Sequence, residues 1–222
     1  MPHHFHSHSH TVELPAQTDG TLIRWAPYYD LVTNLMTLGQ ARRLRRMTVD
    51  QAFIQSEDNV LDVGCGTGEV TLLAKTRTKY GNVYGIDPAP EMIAIARKKA
   101  ARKGLEIDFR VAVIEALPFP DSSLDVVTSS LMMHHLPENL KERGLAEIYR
   151  VLKPGGRLLI ADFMRPTRSF LNHLFIAFTR HHGLRAGVED LQSLLENAGF
   201  RQITQVDKKV LMIGFVRAVK GD

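Results

Sequence analysis

Between Asn59 and Thr71 the chain reads NVLDVGCGTGEVT, and this stretch limits the possible folds more than any other. Val60, Leu61 and Val63 make a short apolar run, as a strand does when both of its faces are covered in a parallel sheet. Gly64, Gly66 and Gly68 follow at alternate positions. A residue without Cβ accepts positive φ and lets a ligand lie against main-chain N–H groups where the next helix begins. A second run, YGIDPAPEM from Tyr84 to Met92, ends its apolar part at Asp87. A carboxylate at the end of an adjacent strand faces the same crevice, where it can accept hydrogen bonds from both hydroxyls of a ribose. Strand, glycine turn, helix and second strand together predict a nucleotide-type site.

Spacing narrows the ligand. The dinucleotide fingerprint is GxGxxG, whereas the glycines here run GxGxG and Glu69 stands where the third glycine belongs. A carboxylate there opposes a pyrophosphate at the positive end of a helix dipole, which argues against NAD. Glu69 and Val70 also stand where a phosphate-binding loop carries Lys and Ser or Thr, which argues against ATP.

The rest of the chain alternates strand and helix patterns, predicting a parallel sheet with helices on both faces. Strands are expected at Val60–Gly64, Val83–Asp87, Ile107–Val113, Leu124–Ser130 and Arg157–Phe163, and helices at Glu69–Arg77, Pro90–Lys103, Glu138–Leu152 and Glu189–Ala198. Two further strands, Gln202–Val206 and Val210–Val219, are expected to join through the polar Asp207, Lys208 and Lys209. With 222 residues, 44% of them hydrophobic, the chain can bury one sizeable α/β core. No apolar run is long enough to cross a bilayer and no hydrophobic signal core follows the first residues, so a cytoplasmic location is expected. The single cysteine, Cys65, has no internal disulfide partner; its place in the glycine turn points to packing or backbone contact rather than reactivity.

Four segments in order resemble the class I S-adenosylmethionine-dependent methyltransferases: VLDVGCGTG at Val60–Gly68, GIDPAPEM at Gly85–Met92, EALPFPDSSLDVV at Glu115–Val127 and EIYRVLKPGGRLLIADF at Glu147–Phe163. The likeness runs from about Trp25 to Lys220. Within the class it is greatest to the ubiquinone/menaquinone C-methyltransferases, through YYDLVTNLMTLGQARRLRR upstream, EALPFPDSS, and ENAGFRQITQ with a terminal strand near GFVRAVK. The resemblance implies a Rossmann-like, seven-stranded, mostly parallel sheet with an antiparallel terminal hairpin, helices on both faces and a small helical lid. It divides the chain into a His-rich tail (1–20), an N-terminal helical lid (21–56) and a methyltransferase domain (57–222) with a lid insertion at about 165–187.

The same resemblance implies S-adenosyl-L-methionine as cofactor, S-adenosyl-L-homocysteine as product, and a set of contacts. Gly64, Cys65, Gly66 and Gly68 make the bend. Thr67 can cap the next helix, donate to the cofactor carboxylate, or do both. Asp62 either orients the turn or meets the cofactor's amino group. Asp87 takes the ribose, with Pro88 beside it, and Met92 packs on adenine or in the core. Relatives carry Asp or Asn before the position of Ile114 to bond the adenine amino group, but this chain has Val113. Adenine is then expected on the Ile114 N–H and apolar packing, with Glu115 as a substitute acceptor. Ser129, Ser130 and Leu131 approach the methionine arm.

Beyond them, His134 and His135 replace the Arg-Asn of the quinone-type relatives. Transfer from a sulfonium mainly requires the acceptor to be held in line. If the acceptor is an acidic carbon or a hydroxyl, an imidazole suits the removal of its proton, and either histidine is a candidate base; packing is the alternative for His135. Tyr28 and Tyr29 offer a polar handle, a wall of the site or core packing.

Substrate character is expected from two segments. Trp25–Met47 mixes apolar residues with Arg42, Arg43, Arg45 and Arg46, and Phe170–His182 places Leu171, Leu174, Phe175 and Phe178 at helical spacing. Both could roof an apolar pocket around a small or lipid-like acceptor, Phe175 among its lining. With a sequence pI near 9.3, the arginines could also rest on anionic lipid at the inner membrane surface. C- or O-methylation of a quinone precursor is the main expectation. A phospholipid or small-amine N-methyltransferase sharing WAPYYD is the alternative, and a non-catalytic cofactor-binding regulator is a third reading. Nucleic acid is disfavoured, for there is no target-recognition domain and no NPPY-type tetrad. The oligomer is left open between monomer and homodimer. His3, His4, His6, His8 and His10 can gather a metal ion adventitiously in a flexible tail but form no fixed site.

Overall fold

The computed structural model describes Thr18, residues 29–164 and residues 187–221. The His-rich tail, Tyr28, and the lid insertion with Phe175 lie outside the described residues, as does the side chain of Tyr29. Strands β1 (Val60–Val63), β2 (Val83–Asp87), β3 (Asp108–Val111), β4 (Leu124–Ser130) and β5 (Leu152–Phe163) run parallel to one another. Strands β6 (Phe200–Val210) and β7 (Ile213–Lys220) complete a seven-stranded sheet in the order β3-β2-β1-β4-β5-β7-β6, with β7 antiparallel to both neighbours. The chain builds outward from β1 to β3, then returns to lay β4 on the other side of β1. Ligands in such sheets sit at that reversal, outside the carboxyl ends of β1 and β4.

Helices α1 (Tyr29–Met36) and α2 (Ala41–Gln51) precede the sheet; α3 (Glu69–Lys75), α4 (Pro90–Arg102), α5 (Glu138–Val151) and α6 (Leu191–Asn197) connect its strands. Successive strand residues point to opposite faces, and the core divides accordingly. Val127, Leu158 and Ile160 pack with Leu145, Ile148 and Val151 of α5 and Leu191 and Leu195 of α6. Their chain neighbours Val126, Leu159 and Ala161 pack on the other face with Leu44 and Val49 of α2 and Val70 and Ala74 of α3. α4 starts at Pro90, whose missing N–H costs nothing in a first turn. α6 ends before Gly199, at φ +96°.

Most expected elements appear within a few residues of their places, but the terminal hairpin differs. Asp207, Lys208 and Lys209 do not form its turn. They lie inside β6, in a register break between the pairs Val206–Phe215 and Val210–Ile213, and the chain turns at Leu211 and Met212. Three exposed charged residues in a bulge on an edge strand discourage another strand from pairing there, which is a common use of such residues. β5 also begins earlier than expected, at Leu152, directly after α5.

Candidate active site

The carboxyl ends of β1, β2 and β4 open into a cleft of two hollows that share Gly64 and Leu131. Glycine is required at Gly64 by space as well as by backbone: it takes φ +69°, and a Cβ there would lie 2.3 Å from Cγ of Met132. Leu131, at the end of β4, adopts φ +55°, with its N–H held by the Ala161 carbonyl at 2.8 Å. Such a backbone in a non-glycine residue is uncommon and concentrates at functional sites.

The first hollow encloses about 690 Å³, counting space open to solvent, between Gly66, Ile86, Asp87, Pro88 and Met92 on one side and Val113, Ile114 and Glu115 on the other. Asp87 is engaged before any ligand arrives, since the Gly66 N–H donates to Oδ2 and the Ala89 N–H to Oδ1, each at 2.9 Å. Burial pushes its carboxyl above the ordinary range while these two bonds pull it back. The side chain therefore ties the glycine turn to the end of β2 and still borders the hollow. Glu115 accepts from the Thr18 hydroxyl at 2.7 Å through Oε1, and its buried Oε2 has no hydrogen-bond partner. Met92 is both core and wall, being 2% exposed. Leu131, Met132, His135 and Leu136 close the far side.

The second hollow, about 450 Å³, carries charged and hydroxyl groups beside the apolar Ala41, Leu44, Val70 and Leu131. Arg45, Asp62, Cys65, Thr67, Glu69 and Ser130 line it together with Thr33 of α1. Asp62 is buried, accepting from Thr71 at 2.7 Å and Thr128 at 2.9 Å, so it joins β1 to α3 and β4. Burial pushes its pKa up to about 6, helped by the Asp87 charge and opposed by the two hydroxyls. Thr67 does not cap α3, whose N-cap is Gly68. Its hydroxyl donates to Asp30 Oδ1 at 2.9 Å and accepts from Lys99 Nζ at 2.9 Å. Lys99 also reaches Asp30 (2.5 Å) and Glu69 (2.7 Å), and Arg45 pairs with Asp30 (3.2 Å) and Glu69 (3.5 Å). Burial alone would raise the Asp30 pKa, but bonds from Lys99 and Thr67 and the charges of Lys99 and Arg45 bring it below the ordinary value. The thiol of Cys65 is pushed well up by burial and by Asp87 and Asp62, which leaves it a packing group rather than a nucleophile.

Three expected site residues stand back from the cleft. Gly68, at φ +82°, leaves room for Ala96 and Phe109, which a Cβ would meet at 2.9 and 3.0 Å. Ser129 is fully buried, with no partner for its hydroxyl. His134 turns away from the hollow: its Nδ1 lies 2.7 Å from Asp162 Oδ1, its N–H donates to Asp162 Oδ2 at 3.1 Å, and its side chain is 7% exposed. His135 lines the hollow and lies on His134, ring centroids 3.9 Å apart. Close by, Lys141 is buried and its pKa is lowered by that burial, against the pull of Asp162, Glu138 and Asp190.

The sequence reading missed Thr18, Asp30, Lys99 and Asp162, and it treated Arg45 as one of four like arginines. Arg42, Arg43 and Arg46 are indeed exposed, but Arg45 is not. The signal was its phase: Ala41, Leu44, Thr48 and Val49 form the buried stripe of α2, and Arg45 falls on that stripe.

A model of a methyltransferase domain matches residues 60–156. The demethylmenaquinone methyltransferase of Thermus thermophilus is 43% identical over 143 residues, 64% of this chain and 64% of that protein. The chain thus spans somewhat less than two thirds of that relative's length. The fold is also that of Haemonchus contortus phosphoethanolamine N-methyltransferase 2, with a TM-score of 0.70 at 18% identity, covering 89% of this chain and 57% of the other. The ubiquinone/menaquinone biosynthesis C-methyltransferase UbiE of Yersinia enterocolitica is 31% identical over 204 residues, 81% of this chain and 80% of that protein. On that match the chain belongs to the ubiquinone/menaquinone biosynthesis C-methyltransferase family.

Proposed function

We propose that this protein is an S-adenosyl-L-methionine-dependent methyltransferase whose acceptor is an apolar, quinone-precursor-like ring methylated at carbon. The observation that carries the reading is the division of the cleft. One hollow is walled by apolar side chains and bordered by a carboxylate at the end of β2, and the other is lined by charges of both signs. An adenosyl group suits the first and a zwitterionic amino acid suits the second. The unpartnered, buried Glu115 Oε2 fits the same ligand, because an adenine amino group would satisfy it where Val113 cannot. Asp87 would hold the ribose, Met92 and Ile114 the base, and Arg45 and Asp62 the two ends of the amino acid. When bound, the cofactor supplies a methyl group made electrophilic by its sulfonium.

The rest of the chemistry falls to positioning and proton removal. Leu131, Met132 and Leu136 form an apolar wall beside His135, where an aromatic acceptor can be held away from water. A ring carbon gives up a proton when it is methylated, and the His135 imidazole is the group in the hollow suited to take it near neutral pH. Asp162 fixes the orientation of His134, against which His135 lies. Peripheral attachment to a membrane is part of the proposal. Leu31, Leu35 and Leu38 are 66%, 74% and 76% exposed on and just after α1, with exposed Arg42 and Arg43 close behind them in the chain. Among the described residues no helix is long and apolar enough to cross a membrane.

Calorimetric titration with S-adenosyl-L-homocysteine, followed by methyl-transfer assays on a demethylmenaquinol, a phosphatidylethanolamine and a panel of small amines, tests the proposal. Methylation of the quinol at carbon supports it. Transfer only to an amine replaces it, and binding without transfer to any of them points to a regulator.

A further inference from the structure

The second hollow raises a question of donors. An amino-acid carboxylate placed there needs N–H or O–H groups, and the obvious one, the Thr67 hydroxyl, has already committed its single hydrogen to Asp30 while accepting from Lys99. Lys99 is in turn engaged by Asp30, Glu69 and Thr67, and it does not line the hollow. Arg45 is the cationic side chain that does, among the described residues. Its guanidinium carries five N–H groups in a planar fork. Asp30 accepts from one of them at 3.2 Å, and Glu69 lies 3.5 Å from the other terminal nitrogen as an ion pair. Donors therefore remain, and the side chain, 22% exposed, lines a hollow that Asp62 also lines.

We infer that Arg45 is the anchor for the α-carboxylate of the cofactor's amino-acid end, and that Asp30 is the positioning residue that aims it. The inference rests on the proposed cofactor and deepens it: of the two ends of the amino acid, the guanidinium from α2, outside the glycine turn, takes the carboxylate and is the discriminating contact, aimed by Asp30. Asp30 holds Arg45 and Thr67 through one oxygen, Oδ1, and Lys99 through the other. The helix α1 that carries it is thereby fastened to the glycine turn and to α4. The arrangement separates the charges of a zwitterion: a guanidinium for the carboxylate, and the Asp62 carboxylate across the hollow for the ammonium.

Three ligands test this by calorimetry. S-adenosyl-L-homocysteine has both ends, its decarboxylated analogue lacks only the carboxylate, and 5′-methylthioadenosine lacks the whole amino acid. The unaltered protein should bind the decarboxylated analogue at least about tenfold more weakly than S-adenosyl-L-homocysteine, as expected for loss of a charge-assisted hydrogen bond. Arg45→Met should lose a similar factor for S-adenosyl-L-homocysteine, bind 5′-methylthioadenosine within about twofold of the unaltered protein, and no longer distinguish the decarboxylated analogue. Asp30→Asn should show a smaller loss with the same ligand pattern.

Equal binding of S-adenosyl-L-homocysteine and its decarboxylated analogue by the unaltered protein would overturn the inference without any variant having to fold. A loss in Arg45→Met that is equal for all three ligands would overturn it too. Failure of the unaltered protein to bind S-adenosyl-L-homocysteine at all would instead remove the proposed function.

Discussion

Asp62 offers a test in which the sign and the size of an effect both come from the structure. Its carboxyl is buried between β1, α3 and β4, with its pKa moved from 3.8 to about 6. A raised acid pKa means that the folded state binds a proton the unfolded chain has already released. The penalty for burying the charge is therefore fully present above pH 6. It fades as the pH falls through 6 toward 4, and is gone below the unfolded value. At about 1.4 kcal/mol per pH unit the whole displacement corresponds to about 3 kcal/mol, of which about 1 kcal/mol falls between pH 7 and pH 5. Asp62→Asn keeps the shape of the group and the oxygen that Thr71 or Thr128 can bond, but carries no charge. The asparagine variant should therefore be the more stable protein at pH 7, by up to that total, and its advantage should shrink by about 1 kcal/mol at pH 5, or about 2–4 °C in melting temperature for a chain of this length. Urea unfolding of both proteins at the two pH values measures the difference directly. Comparing the pair cancels the carboxylates that titrate the other way, such as Asp30 and Glu147, whose lowered pKa values cost stability as the pH falls. A gap between variant and parent that is the same at pH 7 and pH 5 would refute the account of Asp62 as a buried, ionised carboxylate.

Gly64→Ala should lower stability by about 1–2 kcal/mol from its left-handed backbone alone, and the new methyl should displace Met132, which it would meet at 2.3 Å; a melting curve and a cofactor titration read both effects. His134→Ala removes the imidazole partner of the buried Asp162 carboxylate, leaving it the main-chain N–H groups of residues 134 and 163, and should cost about 1–3 kcal/mol of stability. His135→Ala should instead fold normally, bind S-adenosyl-L-homocysteine as before and transfer the methyl at least about 100-fold more slowly; unchanged turnover would remove the base. Glu115→Ala should weaken S-adenosyl-L-homocysteine by about tenfold but leave the inosyl analogue, which lacks the amino group, nearly unaffected; equal losses for both would show that the orphaned oxygen does not meet the base.

The parts of the molecule legible in the sequence are those whose cause is local. β1, its glycine turn and α3 follow from an apolar run, residues without Cβ and a helical pattern within 16 positions, Val60–Lys75. Asp87 follows from standing at the end of an apolar run. Where the cause is a relation between distant segments, the reading fails or stays open. The polar triplet at Asp207 looks like a turn, and only the register of β7 makes it a bulge. The pair of histidines looks symmetrical until Asp162, 28 residues later, takes one of them out of the hollow. Thr67 looks like a helix cap because nothing in its surroundings along the chain announces Asp30, 37 residues upstream.

The missed partners of Thr67, His134 and Glu115 share a location, and that location bears on how the protein acquires its specificity. The segment matched as a methyltransferase domain, residues 60–156, contains the floor of the cleft: the glycine turn, Asp87, Ile114 and the end of β4. Several groups that hold its side chains in place lie outside that segment. Thr18 reaches Glu115 at one end, Asp30 and Arg45 meet Thr67 and Glu69 at the other, and Asp162 sets His134 beneath His135. A floor built on a sheet can be shared by many enzymes because its geometry comes from strand register and glycine φ, which do not depend on the acceptor. The covering groups are reached through side-chain contacts across 24 to 97 residues of chain. They can change without disturbing the sheet, so motifs within the floor identify a cofactor far more readily than an acceptor.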